Sequence, residues 1–138
     1  MSSYGDFNRN LVEDIRKHGK ATSGPFLGRD VLILTTKGAR SKEERTTPIV
    51  YTREGDKYVI VASKGGSPTH PHWFHNLRAH PDVIVEVGGE KFNARAEVVD
   101  GDDYERLYLQ HASINPSFHE YRTKTTRKIP VVILERAN

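Results

Sequence analysis

The chain contains no cysteine among its 138 residues. This absence excludes disulfide bonds, thiolate nucleophiles and zinc sites built from cysteine ligands. No apolar run approaches the roughly 20 residues that a membrane-spanning helix requires. The N-terminal residues also lack the basic start and the apolar stretch of a signal peptide. We therefore expect a cytoplasmic protein that does not cross a membrane.

Familiar nucleotide-binding and catalytic signatures are absent as well. The segment from Gly38 to Lys42 lacks the glycine frame of a Walker loop, and Gly65-Gly66 does not fit the dinucleotide-binding fingerprint. No Ser/His/Asp order or pair of carboxylates indicates hydrolysis. Four histidines fall between residues 70 and 80, but without a His-Glu-x-x-His motif or a nearby carboxylate we predict no metal site. A bound cofactor is therefore expected to carry the reaction.

Charge is distributed unevenly along the chain. The 21 Lys and Arg residues exceed the 18 Asp and Glu residues, and the excess is concentrated in residues 37–64 and 120–128. Residues 82–105, between these two segments, carry eight acidic and two basic side chains. We expect folding to bring the two basic segments to one face, with the anion site in segment 37–64. A nucleic-acid-binding protein usually spreads its positive charge more widely, so we expect no nucleic acid partner.

The pattern of apolar residues predicts a mainly β domain. Strands are predicted at residues 31–36, 48–53, 58–63, 83–87, 92–99 and 129–134, and helices at 71–80, 100–112 and 116–122. Gly55 and Gly88-Gly89 mark hairpin turns, and Pro130 indicates that the last strand starts at a sheet edge. Because no βαβ alternation is visible, we expect an α+β, mainly β fold. About six antiparallel strands would close into a small barrel with flanking helices.

Residues 1–24 are predicted to form an N-terminal amphipathic helix and a loop, ahead of a single domain at residues 25–138. Phe7, Leu11 and Ile15 recur at four-residue spacing within a helix at 6–18, and Gly19 follows it. We expect this apolar stripe to pack on the domain. Two alternatives stay open: the helix is a mobile lid, or it touches a membrane surface and makes the protein membrane-peripheral.

Basic side chains and tight turns follow two of the predicted strands. Basic groups beside exposed backbone N–H groups bind multiply charged anions. The rigid segment 46–48 faces such a site with hydroxyls and backbone groups, and Trp73 offers a wall for a flat ring. The four candidate basic residues are Arg40, Lys42, Arg45 and Lys64. The combination indicates a nucleotide-like cofactor.

Several spaced motifs, in one order, closely resemble the deazaflavin-dependent nitroreductase family. They are Thr35-Thr-Lys-Gly-Ala-Arg-Ser-Lys42, Arg45-Thr-Thr-Pro48, Val61-Ala-Ser-Lys-Gly-Gly66, Pro71-His-Trp-Phe-His-Asn-Leu77 and Tyr121-Arg-Thr-Lys-Thr-Thr-Arg-Lys-Ile-Pro130. The resemblance covers roughly residues 25–135 and implies a split β-barrel of the kind that also binds FMN. It further implies an enzyme, found mainly in actinobacteria, that transfers a hydride from reduced coenzyme F420, an 8-hydroxy-5-deazaflavin. The acceptors would be quinones, nitroaromatics or activated enones.

The resemblance also implies roles for individual residues. The basic loop would hold the phosphate and the glutamate tail of the coenzyme, and the strand ends would line its ring. The residues implied to bind the coenzyme are Ala39, Arg40, Ser41, Lys42, Arg45, Thr46, Thr47, Pro48, Ile49, Val50, Val61, Ala62, Ser63, Lys64, His72, Trp73, Phe74, His75 and Asn76. Asn115, Phe118 and Tyr121 stand where the family commonly has tyrosines that line the substrate side. Ser63 and Tyr121 are the candidate catalytic groups, as proton donors.

Alternative functions remain on the same barrel. FMN has one phosphate and no glutamate tail, so an FMN-dependent oxidoreductase would need fewer basic residues in the 37–45 loop. A protein that stores or carries the cofactor without reacting is the second alternative. In each enzymatic case the partner is a small planar electron acceptor, and the protein is expected to be a monomer or a homodimer.

Overall fold

The structure is a computed structural model and describes residues 3–24 and 26–137. Its strands are β1 (Val31–Lys37), β2 (Glu44–Val50), β3 (Thr52–Glu54), β4 (Lys57–Val61), β5 (Asp82–Val87), β6 (Glu90–Val98) and β7 (Val131–Arg136). Its helices are α1 (Ser3–His18), α2 (His72–Ala79), α3 (Asp102–Ile114) and α4 (Ser117–Tyr121), with a short 3₁₀ turn at Lys64–Gly66. The described strands form one antiparallel sheet in the order β2-β1-β5-β6-β7-β4-β3.

The predicted strand at 48–53 is divided in the structure into β2 and β3. These two strands lie at opposite edges of the sheet, although only Tyr51 separates them in sequence. The backbone N–H of Tyr51 donates to the carbonyl of Asp30 at 3.0 Å. Because a single residue joins the two edges, the sheet has to curl until they approach each other. The predicted antiparallel split barrel is confirmed, with seven strands in place of about six.

The concave face of the sheet holds the main core. Trp73, Phe74 and Leu77 of α2 belong to this cluster. Its other residues are Ala62, just after β4, and the strand residues Leu32, Leu34, Ile49, Ile60, Val83, Val85, Phe92, Ala94, Ala96, Val132 and Leu134. Side chains from six strands meet only on a concave face, since those on a convex face diverge. Full burial of one large apolar side chain contributes about 1.5–3 kcal/mol, so this cluster fixes α2 against the sheet.

Helices cover the convex face in two places. Leu11, Val12 and Ile15 of α1 are buried against β1 and β2, and the guanidinium of Arg16 forms two bonds of 2.8 and 2.9 Å with Glu86. The predicted packing of this helix on the domain is therefore present, whereas the side chain of Phe7 lies outside the described residues. Helices α3 and α4 cover β4 and β7. None of the described helices combines the length and the apolar character that crossing a bilayer takes.

One interpretation of the sequence is wrong, and another holds only in part. Strand β7 was expected to start at a sheet edge, but it lies between β6 and β4. Pro130 does not prevent this position because it precedes the strand and removes none of its ladder hydrogen bonds. Of segment 120–128, Arg127 reaches segment 37–64 and binds the carbonyls of Ala62 and Ser63, whereas two other cations face acidic residues. Arg122 forms two 2.8 Å bonds with Glu105, and Lys128 Nζ lies 3.6 Å from Asp100 Oδ1. Carboxylates of the acidic segment therefore neutralise these two cations.

Candidate functional site

A cleft of about 250 Å³ lies at the split of the barrel, between the edge strand β2 and the end of β4. Helix α2 lines it with its first residues, α4 adds two aromatic side chains, and the loop before β1 adds Phe26 and Arg29. Its remaining lining residues are Thr47, Pro48, Ile49, Val50, Val61, Ser63, Lys64, Gly65, Pro71, His72, Trp73, Phe118 and Tyr121. Two roomier surface grooves, of about 470 and 580 Å³, lie elsewhere on the described molecule, without an aromatic lining residue. The cleft at the split is the better candidate because aromatic and polar groups converge there.

Strand β2 presents free backbone groups at its open edge. The N–H of Tyr51 points toward β1, where it bonds to Asp30. Backbone groups alternate in direction along an antiparallel strand, so those of Thr46, Pro48 and Val50 point away from β1. Proline has no N–H and suits such an unpaired edge. The edge therefore combines N–H donors and carbonyl acceptors at fixed spacing.

The connection after β4 approaches the cleft with an unusual backbone. Lys64, Gly65 and Gly66 have φ values of 47°, 63° and 82° in succession, and Ser63 before them is right-handed helical. Such a change of hand directs consecutive N–H groups to one side, which forms an anion-binding concavity. A left-handed lysine is strained, and strain of this kind concentrates at functional sites. The Ser63 hydroxyl makes no hydrogen bond within the described residues.

One end of the cleft is electropositive. Helix α2 begins there at His72, with no acidic residue in its first turn and no side chain capping its N–H groups. Burial lowers the pKa of the His72 imidazole, and the neighbouring cations Arg45 and Lys64 lower it further. The same two cations and the helix N-terminus favour a negatively charged ligand. This end of the cleft is suited to a phosphate.

The hairpin loop between β1 and β2 extends the positive region. Asn76 holds this loop to α2: its Oδ1 accepts from the Ala39 N–H at 3.0 Å, and its Nδ2 donates to Thr36 Oγ1 at 3.2 Å. Arg40 and Lys42 are exposed and form no ion pair within the described residues. Their charges therefore remain available for an anionic ligand that leaves the cleft along this loop.

The α4 side of the cleft is aromatic. Phe118 and Tyr121 line it, with ring centroids 5.0 Å apart. Behind Phe118 lies the buried ring of His111, at 4.4 Å in an edge-to-face arrangement. Asn115 is also buried and donates to the His111 carbonyl at 3.4 Å. The structure thus places Asn115 behind the cleft wall, where its side-chain amide donates to a carbonyl in the last turn of α3.

Several residues implied to bind the coenzyme do not line the cleft. Ala62 and Phe74 are buried in the core, and the side-chain amide of Asn76 is hydrogen-bonded to Ala39 and Thr36. Arg45 and Thr46 of β2 lie just outside the cleft, as does exposed His75. Four residues of the hairpin loop also lie beyond it: Ala39, Arg40, Ser41 and Lys42. Among the described residues, no group of three or more His, Asp or Glu side chains is arranged to hold a metal.

Sequence reasoning missed four lining residues. Phe26 and Arg29 come from a loop without any periodic pattern, and only the packing of that loop beside β2 brings them to the cleft. Gly65 and Pro71 stood within recognised motifs, yet they received no role. The missing side chain of Gly65 was a signal for close approach of a ligand, whereas Pro71 marked only the start of α2.

The curled antiparallel sheet, with a cleft at its split and a cationic end, defines a cofactor-binding protein of the split β-barrel class. The chain belongs to the F420H(2)-dependent quinone reductase family, whose model matches residues 7–136. Membership confirms the family, the enzyme class and the coenzyme, F420, that the sequence motifs predicted.

Relatives and solved structures agree with this assignment. An F420H(2)-dependent quinone reductase of Mycobacterium tuberculosis is 45% identical over 108 residues, which cover 76% of this chain and 72% of that protein. A solved F420-H2 dependent reductase has a TM-score of 0.72 and 39% identity, over 78% of this chain and 95% of its own. A solved domain-swapped dimer has a TM-score of 0.73 and 36% identity, over 96% of this chain and 100% of its own. HutZ of Vibrio cholerae, a heme storage protein, shares the fold alone, with a TM-score of 0.61 at 14% identity, over 92% of this chain and 88% of its own.

Proposed function

We propose that the protein binds reduced coenzyme F420 in the cleft at the split of the barrel and reduces a quinone-type acceptor there. One observation carries the proposal: the cationic end of the cleft, at Lys64 and the start of α2 with Arg45 just outside it, adjoins the open edge of β2. A phosphate and a polar heterocycle can therefore be held at once by neighbouring parts of one site.

The donors in the cleft fit the charged part of this coenzyme. Its phosphate would meet the first N–H groups of α2, the Lys64 and Gly65 amides, and the Arg45 guanidinium. The cleft volume of about 250 Å³ is below the roughly 300–1,000 Å³ typical of pockets that enclose a whole ligand. The glutamate tail would consequently lie outside, along Arg40 and Lys42. A ligand with a phosphate and no acidic tail would leave these two cations unused, which favours F420 over FMN.

The edge of β2 would hold the heterocycle. Its pyrimidine portion alternates hydrogen-bond donors and acceptors, as do the backbone groups of Thr46 and Pro48 at the unpaired edge. Trp73 and Val61 border the same space with apolar surface. Backbone groups in a sheet are already ordered before the ligand arrives, so binding through them requires little loss of conformational entropy.

Phe118 and Tyr121 would receive the acceptor on the α4 side. When bound, the reduced coenzyme supplies a hydride, and a quinone that accepts it also takes up one proton to become the hydroquinone. The hydroxyl groups of Ser63 and Tyr121 border the cleft and are the residues we assign to that proton, either directly or by ordering a water. Planar nitroaromatics and activated enones fit the same aromatic wall. The chain contributes orientation and exclusion of water.

The assembly and location of the protein stay predictions. The domain-swapped dimer among the similar structures favours the homodimer over the monomer. Membrane contact through α1 would have to use a face other than that of Leu11 and Ile15, because both side chains are already buried in the domain. A cytoplasmic or membrane-peripheral location and the absence of nucleic acid binding are part of this proposal.

A fluorescence titration with F420, at low and high salt, tests the binding half of the proposal. Arg45→Ala should weaken binding by about 1–3 kcal/mol, the scale of a charge-assisted hydrogen bond, and should reduce the salt dependence. The matched control is Arg95→Ala, since Arg95 is also exposed and pairs with Asp82 at 3.2 Å, much as Arg45 pairs with Glu43 at 3.5 Å. Equal affinities of the two variants would contradict the site. Failure of the wild type to oxidise F420H2 with menadione or any other quinone would contradict the reaction.

A further inference from the structure

Arg127, in the segment between α4 and β7, binds the connection that leads from β4 to α2. Its Nε donates to the Ser67 carbonyl at 2.9 Å, and its Nη2 donates to the carbonyls of Ala62 and Ser63 at 3.2 and 2.7 Å. Its Nη1 lies 2.9 Å from His70 Nδ1. One guanidinium thus engages four acceptors in a connection that is distant in sequence and borders the cleft. Arg127 itself does not line the cleft.

The contact with His70 extends this attachment to α2. A guanidinium only donates hydrogen bonds, so Nδ1 of His70 has to accept, and the neutral ring carries its hydrogen on Nε2. The His70 ring packs against Phe74 of α2 at 4.8 Å. Arg127 therefore restrains both the connection and the start of the helix whose N–H groups face the cleft.

The connection has little other regular structure. Three consecutive residues from Lys64 have positive φ, and the 3₁₀ turn is closed by two backbone bonds, Gly66 N–H to Ser63 carbonyl and Ser67 N–H to Lys64 carbonyl, at 3.0 and 3.1 Å. Left-handed lysine is disfavoured in an isolated chain. Such a conformation persists only where its surroundings over-determine it. The Arg127 guanidinium stabilises this conformation because it binds the carbonyls on either side of the turn.

We propose that Arg127 is the positioning residue for coenzyme binding: by holding the carbonyls of residues 62, 63 and 67, it leaves the Lys64 and Gly65 amides and the Ser63 hydroxyl facing the coenzyme. This inference rests on the proposed function. It assigns to Arg127 no contact with the coenzyme. A lysine at this position keeps the charge, but its single ammonium cannot reach four acceptors arranged around a planar fork. Arg127→Lys therefore separates geometry from charge.

Arg122→Lys is the matched control. Arg122 lies in the same segment, bonds twice to Glu105 at 2.8 Å and stacks over Tyr108 at 3.6 Å, and it has no bond to residues 62–70. Both variants lose a partly buried guanidinium, so we expect similar falls in melting temperature. Only Arg127→Lys should also weaken F420 binding, by tenfold or more, while Arg122→Lys stays within twofold of wild type. Equal affinities for the two variants overturn the inference.

A second measurement needs no coenzyme. Backbone amide hydrogen exchange in the coenzyme-free proteins should accelerate in Arg127→Lys at Ser63, Gly66 and Ser67, whose N–H groups are hydrogen-bonded, and stay at the wild-type rate there in Arg122→Lys. Unchanged exchange in Arg127→Lys refutes the positioning role. If the wild type fails to bind F420, the proposed function falls, while this exchange experiment still decides whether Arg127 orders the connection.

If Arg127→Lys does not fold, His70→Phe takes its place. That change removes one of the four acceptors and keeps a ring to pack against Phe74. We expect a smaller loss of coenzyme affinity, about threefold, with faster exchange at Ser63, Gly66 and Ser67. Wild-type affinity together with wild-type exchange would overturn the inference.

Discussion

The buried histidine behind the cleft wall makes the stability of the protein depend on pH. His111 is fully buried, its Nδ1 lies 3.1 Å from Thr52 Oγ1, and its Nε2 has no hydrogen-bond partner among the described residues. Burial lowers the pKa of His111 from 6.5 to about 4. Between these two values the unfolded chain takes up a proton at this position and the folded chain does not. Stability is therefore lost as the pH falls through this window and is restored as it rises.

The size of the effect follows from the shift. Each pKa unit corresponds to about 1.36 kcal/mol, so at about pH 5 this histidine should lower the free energy of unfolding by roughly 2 kcal/mol relative to neutral pH. His111→Phe is the informative variant, because it keeps a ring against Phe118 and removes the ionisable group. Loss of the Thr52 bond lowers the stability of the variant equally at both pH values.

Urea unfolding of both proteins at about pH 7.5 and about pH 5 measures the difference. The wild type should lose roughly 2 kcal/mol more than His111→Phe between the two conditions. Burial also lowers the pKa of His70 and of His72, but both histidines remain in both proteins, so their contributions cancel in the comparison. Equal losses of stability in the two proteins would show that His111 takes up its proton as readily in the folded state as in the unfolded state. The reasoning from burial would then be refuted.

Three further changes probe the cleft and the turn beside it. Phe118→Tyr adds a hydroxyl on the substrate side, so it should change the ratio of kcat/KM between two quinones. The F420 dissociation constant should stay within about twofold of wild type. Equal effects on quinone selectivity and on F420 affinity would place Phe118 against the coenzyme. Gly65→Ala should cost about 1–2 kcal/mol of stability, because its φ of 63° is unfavourable for alanine although nothing lies within 4 Å of the added Cβ. Gly66→Ala should cost about 1–3 kcal/mol more, because its Cβ would lie 2.9 Å from Lys124 Cβ and 3.0 Å from the Tyr121 carbonyl. Chemical denaturation compares the two glycine variants, and equal losses would contradict the close packing of α4 on this turn.

Much of the local structure could be predicted from local pattern. The apolar run at 31–36 and the glycines at 55 and 88–89 were sufficient to place β1 and two hairpin turns close to their observed positions. The division at Tyr51 could not be predicted in the same way, since residues 49–53 contain no glycine, proline, asparagine or aspartate to mark a break. Where a strand leaves one edge of a sheet and joins the other depends on closure of the whole barrel, which no short window of sequence contains.

The candidate site shows the same division. Its motifs identified the strand ends and the basic loop, because turn residues and charges are visible one at a time. The role of Arg127 was not visible, since a guanidinium about sixty residues away from its acceptors looks in the sequence like any other basic residue. Similarly, Arg122 and Lys128 were expected to share a face with the other basic segment, but the fold places them against acidic residues of α3 and its preceding loop.

The sequence by itself determined the family, its coenzyme and the succession of strands and turns, because each depends on residue types at short, fixed spacing. Only the tertiary structure decided which strand edge stays unpaired, which cations face the cleft and which guanidinium holds the strained turn beside it. These features arise from contacts between segments distant in the chain. The side-chain chemistry of such segments becomes specific only when the curled sheet brings them together.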